Sequence, residues 1–324
     1  MSLMLGVSLS LLTAGCWAHN SIVYSLAGKR VSSETTTHIR LWVALPLILI
    51  THTIFFSTPF PLLNDMSAYI YLAISGFVGF FLADLFIFKG FVEYGPKNTM
   101  VILTISPILS AVIAYFALGE LITIMHLLAI IVTLTGINLV IREERKAAKE
   151  LFPKGFPLSS KVAQKQSKVN GRERIRNLIT EYRLLIPPLL GALGQAIGVV
   201  FAKKGMLIED VHPISANTIR LIAGFIGIVG YFMIQKRVAS DFRKMKDLKA
   251  LFYISFGAFV GPIIGIVAAL YAVKYAPVAI VSTIMQSTPV ILVPVEMIIF
   301  KRKVSFLSFI GTLIAVGGIA MMFL

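Results

Sequence analysis

The sequence predicts an all-α membrane protein with ten transmembrane helices arranged as two inverted five-helix repeats. Three observations carry that prediction. First, 57% of the 324 residues are hydrophobic and only 14% are charged, with mean hydropathy +0.87, which lies outside the soluble globular range. Second, apolar runs of about 18 residues or more recur along the chain, and a helix crossing lipid satisfies its own backbone. Third, short motifs recur in the same order at an offset near 180 residues.

The runs are 4–26, 39–57, 68–91, 98–118, 121–141, 184–205, 214–235, 250–273, 277–300 and 304–324. The first carries Thr13, Trp17, Asn20 and Tyr24 at spacings of 4, 3 and 4, one helical face of aromatic and polar tips. The second opens near Arg40, and the third holds Asp84 and Lys89 inside FFLADLFIFKGF. The fourth contains Pro107 and ends in LGE (118–120); the fifth closes a first repeat at 1–142. Residues 143–183 read as a basic, solvated cytoplasmic strap able to lie on anionic headgroups. A second repeat, 184–324, then carries Gln195 in its first run and Arg220 in its second. Its third run has Gly257, Gly261 and Gly265 around Pro262, with Tyr271 further on; its fourth has Gln286 and Pro289. Small residues at that spacing are expected to pack helices tightly.

The net charge of +15 is sorted by loop. Connections after odd-numbered runs, counting Lys89 at the end of the third run with them, hold 25 of the 30 Lys and Arg residues. Positive charge stays on the cytoplasmic side, so both termini are expected outside, in a multi-pass protein of the plasma or inner membrane. That distribution accounts for the basicity without a nucleic-acid partner.

Ile-Arg-Leu at 39–41 recurs at 219–221, and GFVG at 76–79 is echoed by GAFVG at 257–261. Tyr94, Pro96 and Pro107 are echoed by Tyr275, Pro277 and Pro289. Five runs per copy make the second copy enter the membrane from the opposite side, a known basis for alternating access. With these motifs, and with Pro107 followed by LGE, the chain resembles the drug/metabolite transporter superfamily and its EamA-type members. Two departures stand out. Lys301-Arg302 replace the acid that would mirror Glu120, and the charge pattern puts the termini outside, where many members keep theirs in the cytoplasm.

Asp84 lies too deep for its short side chain to reach water. A hydrated cavity, a cation from another helix or protonation could each accommodate it, and the cavity is the expectation, with proton carriage as one use. Lys89 is expected to extend to the interface. The resemblance implies a central cavity lined by runs one, three and four and their mirror partners. Trp17, Asn20, Tyr24, Asp84, Phe88, Lys89, Gln195, Tyr271 and Gln286 are the candidate contacts, with Pro107 and Pro289 as hinges. Arg40 and Arg220 are expected to serve structure by reaching headgroups, Glu120 to cap a loop, and Glu296 to pair with Lys301. Cys16, the only cysteine, reads as a packed residue.

The five histidines have no metal-ligand spacing, no phosphate loop GxxxxGK[ST] occurs, and no catalytic residues or cofactor are indicated. An intramembrane enzyme would need a nucleophile–base pair or an HExxH motif. A channel or purely structural protein would not explain mirrored prolines. The reading is a secondary-active transporter of small organic metabolites, with an amino acid or other zwitterionic or cationic amphipathic compound as the type of substrate. Coupling to protons and metabolite exchange both fit, as do monomer and homodimer.

Overall fold

A computed structural model describes residues 2–28, 30–93, 102–151, 171–288, 290–291 and 305–321. Every regular element among them is helical. Helix α1 spans Ser2–Gly28 and α2 Ser33–Phe56. Helix α3 (Met66–Gly76) runs through a wide-turn π segment, Phe77–Ala83, into α4 (Asp84–Glu93). Helices α5 (Ser106–Leu118) and α6 (Ile124–Leu151) complete the first half. In the second half, α7 is Gly171–Ile208, α8 Pro213–Ile234 and the short α9 Val238–Lys244. Helix α10 (Leu248–Ala258) passes through a second π segment, Phe259–Gly265, into α11 (Ile266–Tyr275). Helices α12 (Val278–Met285) and α13 (Phe306–Met321) follow.

Five helical stretches among the described residues are long and apolar enough to cross a bilayer: Glu34–Phe56, Met66–Ile87, Ile186–Ile208, Pro213–Ile234 and Leu248–Tyr275. Ser106–Leu118, Ile124–Val140 and Phe306–Met321 are shorter apolar helices. Exposed apolar side chains such as Ile54, at 75%, and Phe116, at 81%, clothe the outside.

Local sequence sets the ends. Ser32 accepts the Thr35 N–H at 3.2 Å and Asp65 accepts the Ser67 N–H at 2.7 Å, each satisfying a donor that the first helical turn leaves over. Gly119, at φ +68°, stops α5 in the left-handed conformation that glycine adopts without penalty. Helix extends into both ends of the basic strap: α6 runs on to Leu151 and α7 already begins at Gly171. Its middle lies outside the described residues, as do Tyr94, Pro96, Lys97, Pro289, Glu296 and Lys301–Lys303.

The halves interlock by a mirrored pattern of contacts. Helix α1 packs on α10, the second π segment, α11 and α12; its counterpart α7 packs on α3, the first π segment, α4 and α5. Helix α2 pairs with α8, and α6 with α13. Glycine makes these approaches close. A Cβ on Gly76 would lie 2.0 Å from the Arg220 carbonyl oxygen, and one on Gly136 2.4 Å from the Ala315 nitrogen. The glycine ladder at 257, 261 and 265 receives Tyr24, Asn20 and Cys16 of α1, while Gly191, Gly194 and Gly198 of α7 receive Ile87, Ala83 and Gly79.

Two discontinuities are mirrored as well. The π segments are seven residues each, at 77–83 and 259–265. Turns also interrupt the helix at Thr104–Ile105 and at Gln286–Ser287. Prolines 107 and 289 follow them by the same step, and proline supplies no N–H to the carbonyl four residues back.

Candidate functional site

The buried acid of the first half has a partner. Asp84, the residue straight after the first π segment, forms an ion pair with Arg40 of α2 through Oδ2 and Nη2. The two side chains are 17% and 13% exposed, and the guanidinium stands 5.9 Å from the Tyr24 ring centroid. Arg40 therefore does not reach headgroups as expected: a carboxylate inside the bundle holds it. Of the three environments weighed for Asp84, the cation from another helix is the one found.

The polar face of α1 meets another helix. Thr13 Oγ1 donates to the Gly265 carbonyl at 3.1 Å, and Asn20 and Tyr24 press on Gly261 and Gly257. Trp17 is half-buried beside the core of α7 and α11. Gln195 is half-buried on α7, and Lys89 is exposed at the end of α4. The side chain of Phe88 lies outside the described residues, as does Pro289. Pro107 sits in the first turn of α5, just past the break at 104–105. Gln286, in the other break, donates from Nε2 to the Leu103 carbonyl at 2.9 Å. His212 Nδ1 accepts the Ile214 N–H at 3.3 Å, so Nε2 is the protonated nitrogen and donates to Tyr271 Oη at 2.5 Å.

Glu120 does more than cap a loop. Its Oε1 lies 2.6 Å from Lys203 Nζ of α7, and its Oε2 accepts the Val278 N–H at 2.8 Å, capping the first turn of α12. Lys203, itself buried, also donates to the Ala276 carbonyl at 2.8 Å. One carboxylate and one ammonium thus tie α5, α7 and the start of α12 at a single end of the bundle. Lys203 was not among the candidates drawn from the sequence. The signal available was a lysine in the run 184–205 with an acid in the opposite half.

Arg220 was also expected to reach headgroups, and it does not. It is 7% exposed on α8, with its guanidinium carbon 5.1 Å from the centroid of the Phe80 ring. A Cβ on Gly79 would lie 3.5 Å from its Nη2. Its Nε is buried without a hydrogen-bond partner, and among the described residues no carboxylate pairs with it. One turn earlier, Asn217 is fully buried, donating from Nδ2 to the Pro262 carbonyl at 2.7 Å while its Oδ1 has no partner among the described residues.

Mirrored apolar helices with a few buried charges between them define a multi-pass membrane protein. The sequence profile of the EamA-like transporter family matches residues 4–142 and 184–324, and the chain belongs to that family, a family of membrane transporters in the drug/metabolite superfamily. A protein of known crystal structure superposes with TM-score 0.68 at 13% identity, over 99% of this chain and 95% of its own, which establishes likeness of fold. No curated protein matches the sequence.

Proposed function

We propose that the chain is a secondary-active transporter, of ten spans with both termini outside the cytoplasm of the plasma or inner membrane. It moves a small organic metabolite by alternating access between two inverted halves. The observation that carries this reading is the mirrored pair of discontinuities, π segments at 77–83 and 259–265 and turns at 104–105 and 286–287. Wide turns and helix breaks concentrate deformability, and a helix bends where its hydrogen-bond ladder is interrupted. Placed equivalently in two halves that enter the membrane from opposite sides, they let one end open as the other closes.

The Glu120–Lys203 tie supports the same reading, because it joins α5 of one half to α7 and α12 of the other at one end. Broken, it would release that end. The substrate supplies or exploits a gradient, by proton coupling or by exchange, since the chain has no phosphate loop for ATP. The expectation of a zwitterionic or cationic amphipathic substrate drew in part on Asp84 as a cavity acid, and with Arg40 paired to it that acid no longer favours a cation.

The test uses a single cysteine at Gln195, in a Cys16→Ser background, in right-side-out and inside-out vesicles. Alternating access predicts labelling by an impermeant maleimide from either side, each reducing the other as the population shifts. Labelling from one side only would remove the transport reading.

A further inference from the structure

Inside the bundle the two halves differ at a position where their symmetry predicts likeness. In the first half the arginine early in its second helix, Arg40, meets the acid that follows the π segment, Asp84. In the second half the equivalent arginine is Arg220, and the residue following the equivalent π segment is Ile266. Helix α8, which carries Arg220, packs on α11, which begins at Ile266, so the symmetry puts the missing acid within this neighbourhood.

The consequence is electrostatic. A guanidinium is charged at neutral pH and offers five N–H donors. Taking it out of water is costly unless a counter-charge and hydrogen bonds compensate. Arg220 has the face of Phe80, which recovers only part of that cost, and it makes no ion pair or hydrogen bond with any described residue. Its surroundings are built to bring it there: Gly76 lets the α8 backbone touch α3, and Gly79 leaves the guanidinium room against the first π segment. Asn217, three residues earlier on α8, adds a buried acceptor oxygen with no partner among the described residues.

We propose that Arg220 is the anchor for the carboxylate of the transported substrate, and that Asn217 Oδ1 accepts from a neighbouring amino or hydroxyl group. The substrate class is therefore a 2-amino or 2-hydroxy acid. A carboxylate fits the fork of a guanidinium in two parallel hydrogen bonds, and it supplies the counter-charge that Asp84 gives to Arg40. The inference rests on the transport reading and narrows it. Its test is binding at equilibrium, which stands or falls independently of two-sided access.

Purified full-length protein in detergent is screened by thermal shift against 2-amino and 2-hydroxy acids with side chains from methyl to indolyl, each beside its methyl ester. Binding to the folded state raises the apparent melting temperature. The expected result is that at least one acid raises it by several degrees and its ester does not. Arg220→Met removes the cation, and Ile266→Asp instead supplies the acid that the first half has. Both variants are expected to lose the shift while the unliganded protein melts no lower than wild type. A shift that survives in either variant, esters as effective as acids, or no acid effective would overturn the proposal. Stabilisation by phosphatidylglycerol alone would also overturn it and assign Arg220 to a lipid.

Discussion

Gln286 Nε2 donates to the carbonyl oxygen of Leu103 at 2.9 Å, and so joins the helix break of one half to that of the other. The bond has a definite cause. Leu103 lies four residues before Pro107, which has no N–H to give it, and Gln286 lies in the mirrored turn. A carbonyl left over by proline at membrane depth needs some donor, and here a side chain of the opposite half provides it.

Gln286→Leu removes that donor and leaves the carbonyl unsatisfied. The loss is expected to destabilise the protein by about 1–3 kcal/mol. Reversible unfolding in mixed micelles measures it, and an unchanged midpoint would show that the bond contributes nothing.

Arg40 and Asp84 are mostly buried, so either one alone is an uncompensated charge. Asp84→Asn or Arg40→Met should each cost about 3–5 kcal/mol, whereas Arg40→Met with Asp84→Leu should recover most of it. Three unfolding curves decide the matter. Additive losses in the double variant would contradict the pairing.

Gly76 and Gly261 separate backbone from side-chain contact. A Cβ at Gly76 would lie within 2.0–2.6 Å of three Arg220 backbone atoms, while at Gly261 the close contact is the movable Asn20 Nδ2, at 1.9 Å. Gly76→Ala is therefore expected to cost about 3 kcal/mol or more, and Gly261→Ala about 1 kcal/mol. Equal effects in thermal melts would refute the distinction.

Asp241 confers an acid limit on stability. Burial pushes its carboxyl up, but hydrogen bonds from Thr35 Oγ1, His38 Nδ1 and Lys244 Nζ at 2.8, 3.1 and 3.2 Å outweigh it, leaving it below the ordinary carboxylate value. A depressed folded value means stability present above the unfolded value, about 3.9, and lost as pH falls through the lower folded one. Melting temperature should thus drop more steeply below about pH 4 in wild type than in Asp241→Asn. Parallel curves would exclude this linkage.

Much of the fold was legible because lipid permits few solutions. Apolar runs and the near-180 offset of Ile-Arg-Leu, Tyr-x-Pro and the lone prolines located the helices and the repeat. Side-chain partners were less legible, since periodicity gives a residue's face but not the helix opposite it. Asp84 read as solitary because its partner Arg40 lies 44 residues earlier, in a helix start that suggested headgroups. Likewise Asn20 and Tyr24 read as cavity lining, although the glycines they fill, 261 and 257, were recognised as a ladder. Lys203 and Glu120 come from different halves, 83 residues apart, and only packing brings them together.

The central claim is that the halves move against each other about the mirrored breaks. Its most direct measurement is the distance between spin labels at Leu121 and Tyr275, exposed positions flanking the Glu120–Lys203 tie, in a Cys16→Ser background. Double electron–electron resonance should give a short and a long distance in the wild-type background, with Glu120→Gln shifting weight to the long one. A single distance that Glu120→Gln leaves unchanged would contradict the account.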